Sequence, residues 1–335
     1  MEKKFRILSI DGGGIRGLIP AKVLAELENE LKAINPGKAL HEYFDLICGT
    51  STGAILAVGI ALGIPAKELM QFYKQHANAI FPRWYALPRP VKGLITPIYS
   101  NKALRKLLKD TFSKANNGTP PLLNDLKTNV CIPSFNGNTG EINIFKTRHH
   151  PDYTHDYKLP AHEVALASAS APVYFPPHTF KYDNELGCGT NINMIDGGIF
   201  VNNPTLIGVL EATEKLGKKF SDLQVISLGT GRGKHIIKRN WLPKSIWYWF
   251  LPQPRLLDIT LDSQAQITEQ YIHFINRALQ SESKGFEYER LQHDFGGDLI
   301  DLNASKEKDL ERLENIGAEL AKKHIYKIVQ ILKPN

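Results

Sequence analysis

The chain has 335 residues, of which 42% are hydrophobic and 22% are charged. This composition is ordinary for a globular protein and excludes wholesale disorder, and the length suits one large α/β unit. The formal net charge of +7 is compatible with attraction to nucleic acid, anionic lipid or another phosphorylated partner.

The cysteines and the start of the chain bear on its compartment. Cys48, Cys131 and Cys188 are widely spaced and form no C-x-x-C pair, so the sequence predicts neither a disulfide framework nor a zinc ribbon. The first residues lead directly into a strand without an apolar signal segment, and no run has the length needed to span a bilayer. We therefore expect a cytoplasmic protein that can lie on a membrane surface.

Two long stretches of the chain contain basic residues but no acidic ones. They cover residues 69–109 and 223–257. A single stretch of this kind usually forms a solvated face, whereas two of them favour an anionic partner.

The first half of the chain alternates between apolar runs and helical periodicity. Residues 5–10 predict a buried strand, and the glycine loop 11–17 separates it from a helix over 19–33. A second apolar run over 43–48 predicts another strand, and the apolar stretch 54–62 predicts the helix after it. This order predicts a mainly parallel sheet that is covered by helices on both faces.

Further elements follow the same two patterns. Strands are predicted at Asn129–Pro133, Glu141–Lys146 and Gln224–Leu228, and helices at Leu104–Phe112, Ala161–Ser170 and Lys308–Leu332. The segment 81–97 is rich in proline and aromatic residues, and this composition predicts an irregular insertion.

A serine motif lies between the second strand and its helix. Gly49 and Gly53 flank Thr50, Ser51 and Thr52, which gives the G-x-S-x-G pattern of a nucleophile held in a sharp strand-to-helix turn. The N–H groups of the next helix, including that of Thr52, would face an oxyanion formed there. An ordinary Gly/Ser turn explains the motif equally well when it is taken alone.

The glycine loop permits two interpretations. Gly12, Gly14 and Gly17 match the dinucleotide-binding fingerprint, which would make the protein an oxidoreductase. That fingerprint needs an acidic residue at the end of the second strand, and the strand ends at Cys48 instead. No Gly-Lys-Ser/Thr follows the glycines, which also excludes a P-loop.

The second interpretation places the loop beside Ser51. The loops that follow two neighbouring parallel strands open at the same sheet edge, so the N–H groups of Gly12, Gly13 and Gly14 would stabilise a tetrahedral oxyanion. Arg16 would brace this loop or contact a substrate phosphate, and a surface salt bridge is its plainer role.

The base that would activate Ser51 is the next question. The chain has 11 histidines, and no motif fixes any of them beside the serine. The group His149, His150, His155 and Asp156 matches no common metal site. Asp196 ends an apolar strand and precedes Gly197 and Gly198. Partial desolvation would raise the pKa of its carboxyl group enough for it to act as the general base.

Together, the motifs around Gly12, Ser51 and Asp196 resemble those of the patatin-like phospholipase family. The resemblance covers residues 5–231 and implies a three-layer α/β/α sandwich, formed by a single domain over 1–335 with a helical, Trp-rich extension at 232–335. It implies lipid acyl hydrolysis by a Ser51/Asp196 dyad, without a metal or another cofactor. The supporting residues would be Arg16, Gly49, Gly53, Gly197 and Gly198.

The resemblance also suggests partners. Some bacterial relatives of similar length are antiviral effectors that cyclic nucleotides activate. We therefore expect membrane phospholipids on the inner membrane surface, a cyclic-nucleotide activator and a homo-oligomer, but no DNA or RNA. Trp241, Trp247 and Trp249 lie among basic residues and suit a membrane contact, although a buried lid or a dimer contact fits them equally well. A catalytically silent membrane-binding module is the remaining alternative.

Overall fold

A mixed eight-stranded sheet forms the centre of the computed structural model, which describes residues 4–82, 96–235, 237, 249, 255–282 and 284–333. The strands are β1 (Phe5–Ile10), β2 (Leu46–Gly49), β3 (Asn129–Asn136), β4 (Glu141–Lys146), β5 (His178–Asn184), β6 (Gly187–Asp196), β7 (Leu223–Leu228), β8 (Arg232–Gly233), β9 (Glu287–Leu291) and β10 (Asp294–Gly296). The strand order is β5-β6-β3-β2-β1-β7-β9, with β4 paired to β3, while β8 and β10 form a separate ribbon.

The centre of the sheet is parallel and one end is antiparallel. Strands β3, β2, β1, β7 and β9 pair in parallel. Strands β4 and β6 pair antiparallel to β3, and β5 pairs antiparallel to β6. The prediction of a mainly parallel sheet is confirmed, and the antiparallel pairings of β5 and β6 were not predicted.

Helices cover both faces of this sheet. They are α1 (Leu18–Ile34), α2 (Thr52–Ala61), α3 (Ala66–Ile80), α4 (Lys102–Ala115), α5 (Ala161–Ser168), α6 (Thr205–Leu210), α7 (Arg255–Gln280) and α8 (Glu307–Leu332), and a π-helical turn, Glu211–Lys215, continues α6. None of the helices in the described part of the chain combines the length and the apolar character that a bilayer span requires.

The alternation of side chains along β1 divides the interior into two cores. Leu8 and Ile10 belong to the larger core, whereas Ile7 belongs to the smaller one. The smaller core also contains Val209 of α6 and Ile272 of α7. Because successive residues of a strand point to opposite faces, the sheet lies between two helical layers, as in an α/β/α sandwich.

The predicted elements and the observed ones differ mainly at their ends. Strand β2 begins three residues later than predicted, because residues 40–43 form a 3₁₀ turn. Strand β3 continues to Asn136, where it gains the pairing with β6. Most of the predicted irregular insertion, residues 83–95, lies outside the described residues.

The segment after residue 231 packs against the same sheet. Strand β9 pairs in parallel with β7, and α8 packs along α1. Leu313 of α8 is completely buried in the larger core. The C-terminal part of the chain therefore supplies one strand and one covering helix of the central architecture.

Leu313→Ala is expected to destabilise the protein by about 2–5 kcal/mol, because it removes a buried side chain and leaves a cavity between α8 and α1. The matched control is Glu311→Ala on the exposed face of the same helix, which should change the free energy of unfolding by less than about 0.5 kcal/mol. Urea unfolding followed by circular dichroism measures both. Equal stability of the two variants would contradict the packing of α8 on the core.

Candidate active site

Ser51 stands at the junction of β2 and α2 in a strained backbone conformation. Its φ is 55° and its ψ is −120°, which is unfavourable for a residue with a side chain. The turn is compact because Gly49 and Gly53 leave room for other backbone: a Cβ at Gly49 would collide with the carbonyl of Gly53, and one at Gly53 with that of Ile10. This geometry agrees with the strand-to-helix turn that the G-x-S-x-G motif predicts.

A neighbouring helix fixes the backbone of this turn. The N–H of Ser51 donates to Ser168 Oγ at 3.0 Å, and Ser168 Oγ donates to the carbonyl oxygen of Pro133 at 2.6 Å. Both hydrogen bonds are buried. Ser168 therefore links the turn to β3, a role that no sequence motif indicates.

The pairing of β3 brings Asp196 opposite Ser51. Strand β4 pairs with β3 over its whole length, so β2 and β6 must share the other edge of β3. On that edge, Cys48 of β2 is in register with Cys131, and Asp196 of β6 is in register with Ser134, three residues further along. The end of β6 thus lies just beyond the end of β2.

The carboxylate of Asp196 lies in a buried, sparsely hydrogen-bonded environment. Its Oδ1 accepts a hydrogen bond of 2.7 Å from the N–H of Gly198, and the side chain of Ser51 is near enough to favour its charged form. Only 3% of the residue is exposed. Burial raises the pKa of Asp196 to about 7, because desolvation outweighs the effects of the Ser51 side chain and the Gly198 N–H, which both favour the charged form.

The glycine loop after β1 also faces Ser51. Its hydrogen bonds within the described residues leave the N–H groups of Gly13 and Gly14 without an acceptor, and the same holds for the N–H of Thr52. Gly12 differs, since its N–H donates to the carbonyl oxygen of Asn202 at 3.0 Å. This bond takes Gly12 out of the set of oxyanion donors that the sequence predicted, because its only N–H is already used to close the loop.

A buried ion pair anchors the start of the loop. Arg290 of β9 donates from Nη1 to Asp11 Oδ1 at 2.9 Å and from Nη2 to Oδ2 at 2.5 Å. Nη1 also donates to Ser227 Oγ at 2.9 Å. The side chains of Asp11 and Arg290 are 1% and 5% exposed, so the two charges depend on each other for stabilisation.

Arg16 has an unusual environment for an arginine. It is 1% exposed, and its Nε and Nη1 atoms have no hydrogen-bond partner among the described residues. A surface salt bridge, the plainer role considered from sequence, is therefore wrong. The positive charge of Arg16 lowers the pKa of Asp258 on α7. Burial of Asp258 has the larger effect and raises this pKa to about 6.

An apolar cavity leads to the two polar side chains. Ser51, Asp196, Gly13 and Gly14 lie in its wall beside aliphatic and aromatic side chains, among which are Ile55, Ile80, Phe81, Leu104, Phe175, Leu257, Leu261 and Leu302. No histidine is present among its described lining residues. The cavity therefore combines a hydroxyl, a carboxylate and backbone N–H groups with a hydrophobic compartment.

The remaining predicted residues fall into two groups. Gly197 and Gly198 follow Asp196 in a tight 3₁₀ turn, and Gly197 has no space for a side chain because Pro133 lies against it. Trp241 and Trp247 lie outside the described residues, and Trp249 is half-buried and helical. The membrane contact predicted for the tryptophans stays a prediction.

Comparison with known proteins assigns the family. A family model described as patatin-like phospholipase matches residues 8–209. The cGAMP-activated phospholipase of Escherichia coli is 36% identical over 250 residues, which cover 73% of this chain and 67% of that one. Patatin-like protein 1 of Arabidopsis thaliana is 33% identical over 344 residues, or 94% of this chain and 80% of that one. This chain therefore belongs to the patatin-like phospholipase family.

A further relative supports the same class of enzyme. The cGAMP-activated phospholipase of Vibrio cholerae is 38% identical over 244 residues, which cover 69% of this chain and 65% of that one. With the family assignment, these matches make the protein a lipid acyl hydrolase. They favour the hydrolase interpretation of the glycine loop over the dinucleotide-binding one.

Arg290→Met is expected to destabilise the protein by about 3–5 kcal/mol at neutral pH, because it leaves the carboxylate of Asp11 buried without a partner. The loss should shrink as the pH falls and the carboxyl group becomes neutral. Urea unfolding at several pH values tests this. The control Arg232→Met removes a half-exposed arginine 3.7 Å from Asp294 and should cost less than about 1 kcal/mol. Equal costs for the two variants would contradict the anchoring role of Arg290.

Proposed function

We propose that this protein hydrolyses fatty-acyl esters of membrane phospholipids, with Ser51 as nucleophile and Asp196 as general base. The observation that carries the proposal is the position of Ser51 beside a buried carboxylate in the wall of one apolar cavity, where burial raises the pKa of that carboxylate to about 7. A base works best when its pKa is near the working pH, so this carboxylate replaces the usual histidine. The family of the chain supports the reaction class.

In the first step, Asp196 accepts the proton of the Ser51 hydroxyl while Ser51 Oγ attacks the ester carbonyl. The carbonyl oxygen becomes an oxyanion, and the N–H groups of Gly13, Gly14 and Thr52 are donors that have no acceptor among the described residues. Donors fixed in this way need no reorganisation when the charge develops. The nearby cationic Arg16 adds positive potential to the same loop.

The tetrahedral intermediate then collapses and the ester bond breaks. The leaving alcohol, which is the lysophospholipid, takes the proton from Asp196, and the acyl group remains on Ser51 Oγ. In the second half, Asp196 accepts a proton from water as the water oxygen attacks the acyl carbonyl. The proton returns to Ser51 Oγ, and the fatty acid leaves.

The apolar cavity is proposed to hold the fatty-acyl chain. Aliphatic and aromatic walls match the chemistry of an acyl chain, and the cavity opens onto the reacting hydroxyl. On α7, Leu257 lines the cavity while its neighbour Leu256 is 45% exposed. An apolar residue at this position suits peripheral contact with the inner membrane surface, from which a lipid would enter.

A cyclic-nucleotide activator is the finer part of the proposal. The relatives in Escherichia coli and Vibrio cholerae are named cGAMP-activated phospholipases, and at 36% and 38% identity they align with most of this chain. The surplus of basic residues in the chain is compatible with a doubly anionic ligand. Homo-oligomer formation and the absence of nucleic-acid partners stay predictions.

Ser51→Ala and Asp196→Asn should each lower the rate of fatty-acid release by about 1,000-fold or more, because each removes one half of a unit that acts together. The measurement is mass spectrometry of phospholipid vesicles incubated with protein and cGAMP. Ser281→Ala and Asp183→Asn, both at exposed positions, are the matched controls and should remain active. Full activity of Ser51→Ala would remove the proposed nucleophile, and an inactive parent protein would favour a silent binding module.

The raised pKa of Asp196 predicts two opposite pH dependences. Because the base must be ionised, kcat/KM should fall about tenfold per pH unit below pH 7. The free energy of unfolding should instead decrease as the pH rises from about 4 to 7, because the pKa of Asp196 is higher in the folded state than its unfolded value of about 3.9. The total decrease over this range is roughly 4 kcal/mol. Asp196→Asn should therefore gain stability relative to the parent protein between pH 5 and pH 8. If the free energy of unfolding changed with pH in the same way for both proteins, the desolvation of the Asp196 carboxylate would be contradicted.

Activation by a cyclic nucleotide is tested with purified protein and a fixed preparation of vesicles. A panel of cyclic dinucleotides is added in turn, with cGAMP first. At least one of them should raise fatty-acid release by about tenfold or more, because an activator binds the active state more tightly than the inactive one. The corresponding linear dinucleotides are the control. Equal release with and without every cyclic compound would count against the activator, while leaving the hydrolase proposal intact.

A further inference from the structure

A cluster of sulfur, nitrogen and oxygen donors lies in the smaller core, whereas the apolar cavity is lined by the larger one. Cys131 of β3, His149 after β4 and Glu211 after α6 place their donor atoms within 4.8 Å of one another. His149 Nε2 is 2.9 Å from Glu211 Oε1. The side chains of His149 and Glu211 are only 3% and 5% exposed, and Cys131 is completely buried.

The outer contacts of the cluster orient these donor atoms. The Nδ1 atom of His149 is 2.9 Å from Thr147 Oγ1, which leaves Nε2 for the interior of the cluster. Lys146 Nζ donates to Glu211 Oε2 at 2.6 Å, and the Tyr153 hydroxyl donates to Oε1 at 2.5 Å. One lone pair of Oε1 still faces His149. Metal-binding histidines and carboxylates are held by outer hydrogen bonds of this kind.

The fold converges on the cluster from several elements. Cys131 is in register with Cys48 on β2 and with Lys146 on β4, so the three side chains lie next to one another. Glu211 is the first residue of the π-helical turn, a rare geometry that is frequent at functional sites.

We propose that Cys131, His149 and Glu211 bind a zinc ion. Thiolate, imidazole and carboxylate are donors that Zn²⁺ prefers, and three protein ligands leave the fourth tetrahedral position for water. The ion neutralises the Cys131 thiolate and shares the Glu211 carboxylate with Lys146. Binding releases the Cys131 thiol proton and the proton on His149 Nε2 to solvent.

The proposed site departs from what the sequence predicts. The sequence predicts no metal, and the group His149, His150, His155 and Asp156 shares only His149 with this cluster. Cys131 and Glu211 are distant in the chain, and only the strand register and the π-helical turn bring them to the same histidine. The ion would be structural, because neither Ser51 nor Asp196 belongs to the cluster. It would tie β3 and the segment after β4 to the end of α6.

The test is the zinc content of untagged protein after growth with added zinc and gel filtration. The parent protein should contain about one zinc per chain. Cys131→Ser and His149→Asn should fall below about one fifth of that content, whereas the controls Cys188→Ser and His155→Asn, at exposed positions outside the cluster, should match the parent. A parent protein without zinc would overturn the proposal.

A second measurement does not depend on whether the variants fold. Metal-free parent protein treated with Co²⁺ should develop a sulfur-to-cobalt charge-transfer band and the intense visible bands of tetrahedral Co²⁺. A chelator should lower the melting temperature of the zinc-loaded parent and of Cys188→Ser alike. Absence of the cobalt bands would show that the cluster is only a network of hydrogen bonds and ion pairs, and would overturn the proposal.

Discussion

The backbone of Ser51 is the constraint on which the rest of the site depends. A φ of 55° and a ψ of −120° cost about 1–3 kcal/mol for a residue with a side chain, so the surroundings must hold the turn. Helix α2 begins immediately after Ser51, and the Ser51 N–H is tied to β3 through Ser168. In this conformation Ser51 lies in the wall of the cavity, together with Gly13, Gly14 and Asp196.

Burial serves the site in two ways. The shared edge of β3 places Asp196 where little water reaches it, and the loss of solvation raises the pKa of its carboxyl group to about 7. The same dry surroundings strengthen the N–H donors of Gly13 and Gly14. Burial of this carboxylate lowers the stability of the folded protein at neutral pH. It also gives the carboxyl group a pKa that suits a general base near neutral pH, the role that imidazole usually has.

Local patterns predicted much of this structure. The strand, loop and helix around Ser51, and the glycine loop after β1, are each encoded within about ten residues, so the sequence identified them. The antiparallel approach of β6 was not predicted, because strand pairing is a long-range property that short apolar runs do not determine. The contact of Arg290 with Asp11 spans 279 residues and has no local signal. The bond from the Gly12 N–H to Asn202 is likewise invisible in a motif that treats all three glycines alike.

The central claim is that Ser51, the free N–H groups of the glycine loop and the apolar cavity form one acyl-transfer site. The most direct measurement is a crystal structure of the protein after reaction with a long-chain alkylphosphonate, whose tetrahedral phosphorus imitates the intermediate. The account predicts phosphorus bonded to Ser51 Oγ, a phosphonyl oxygen within hydrogen-bonding distance of the Gly13 and Gly14 N–H groups, and the alkyl chain in the cavity. A phosphonate bound to another residue, or one on Ser51 with its oxygen turned away from the loop, would contradict it.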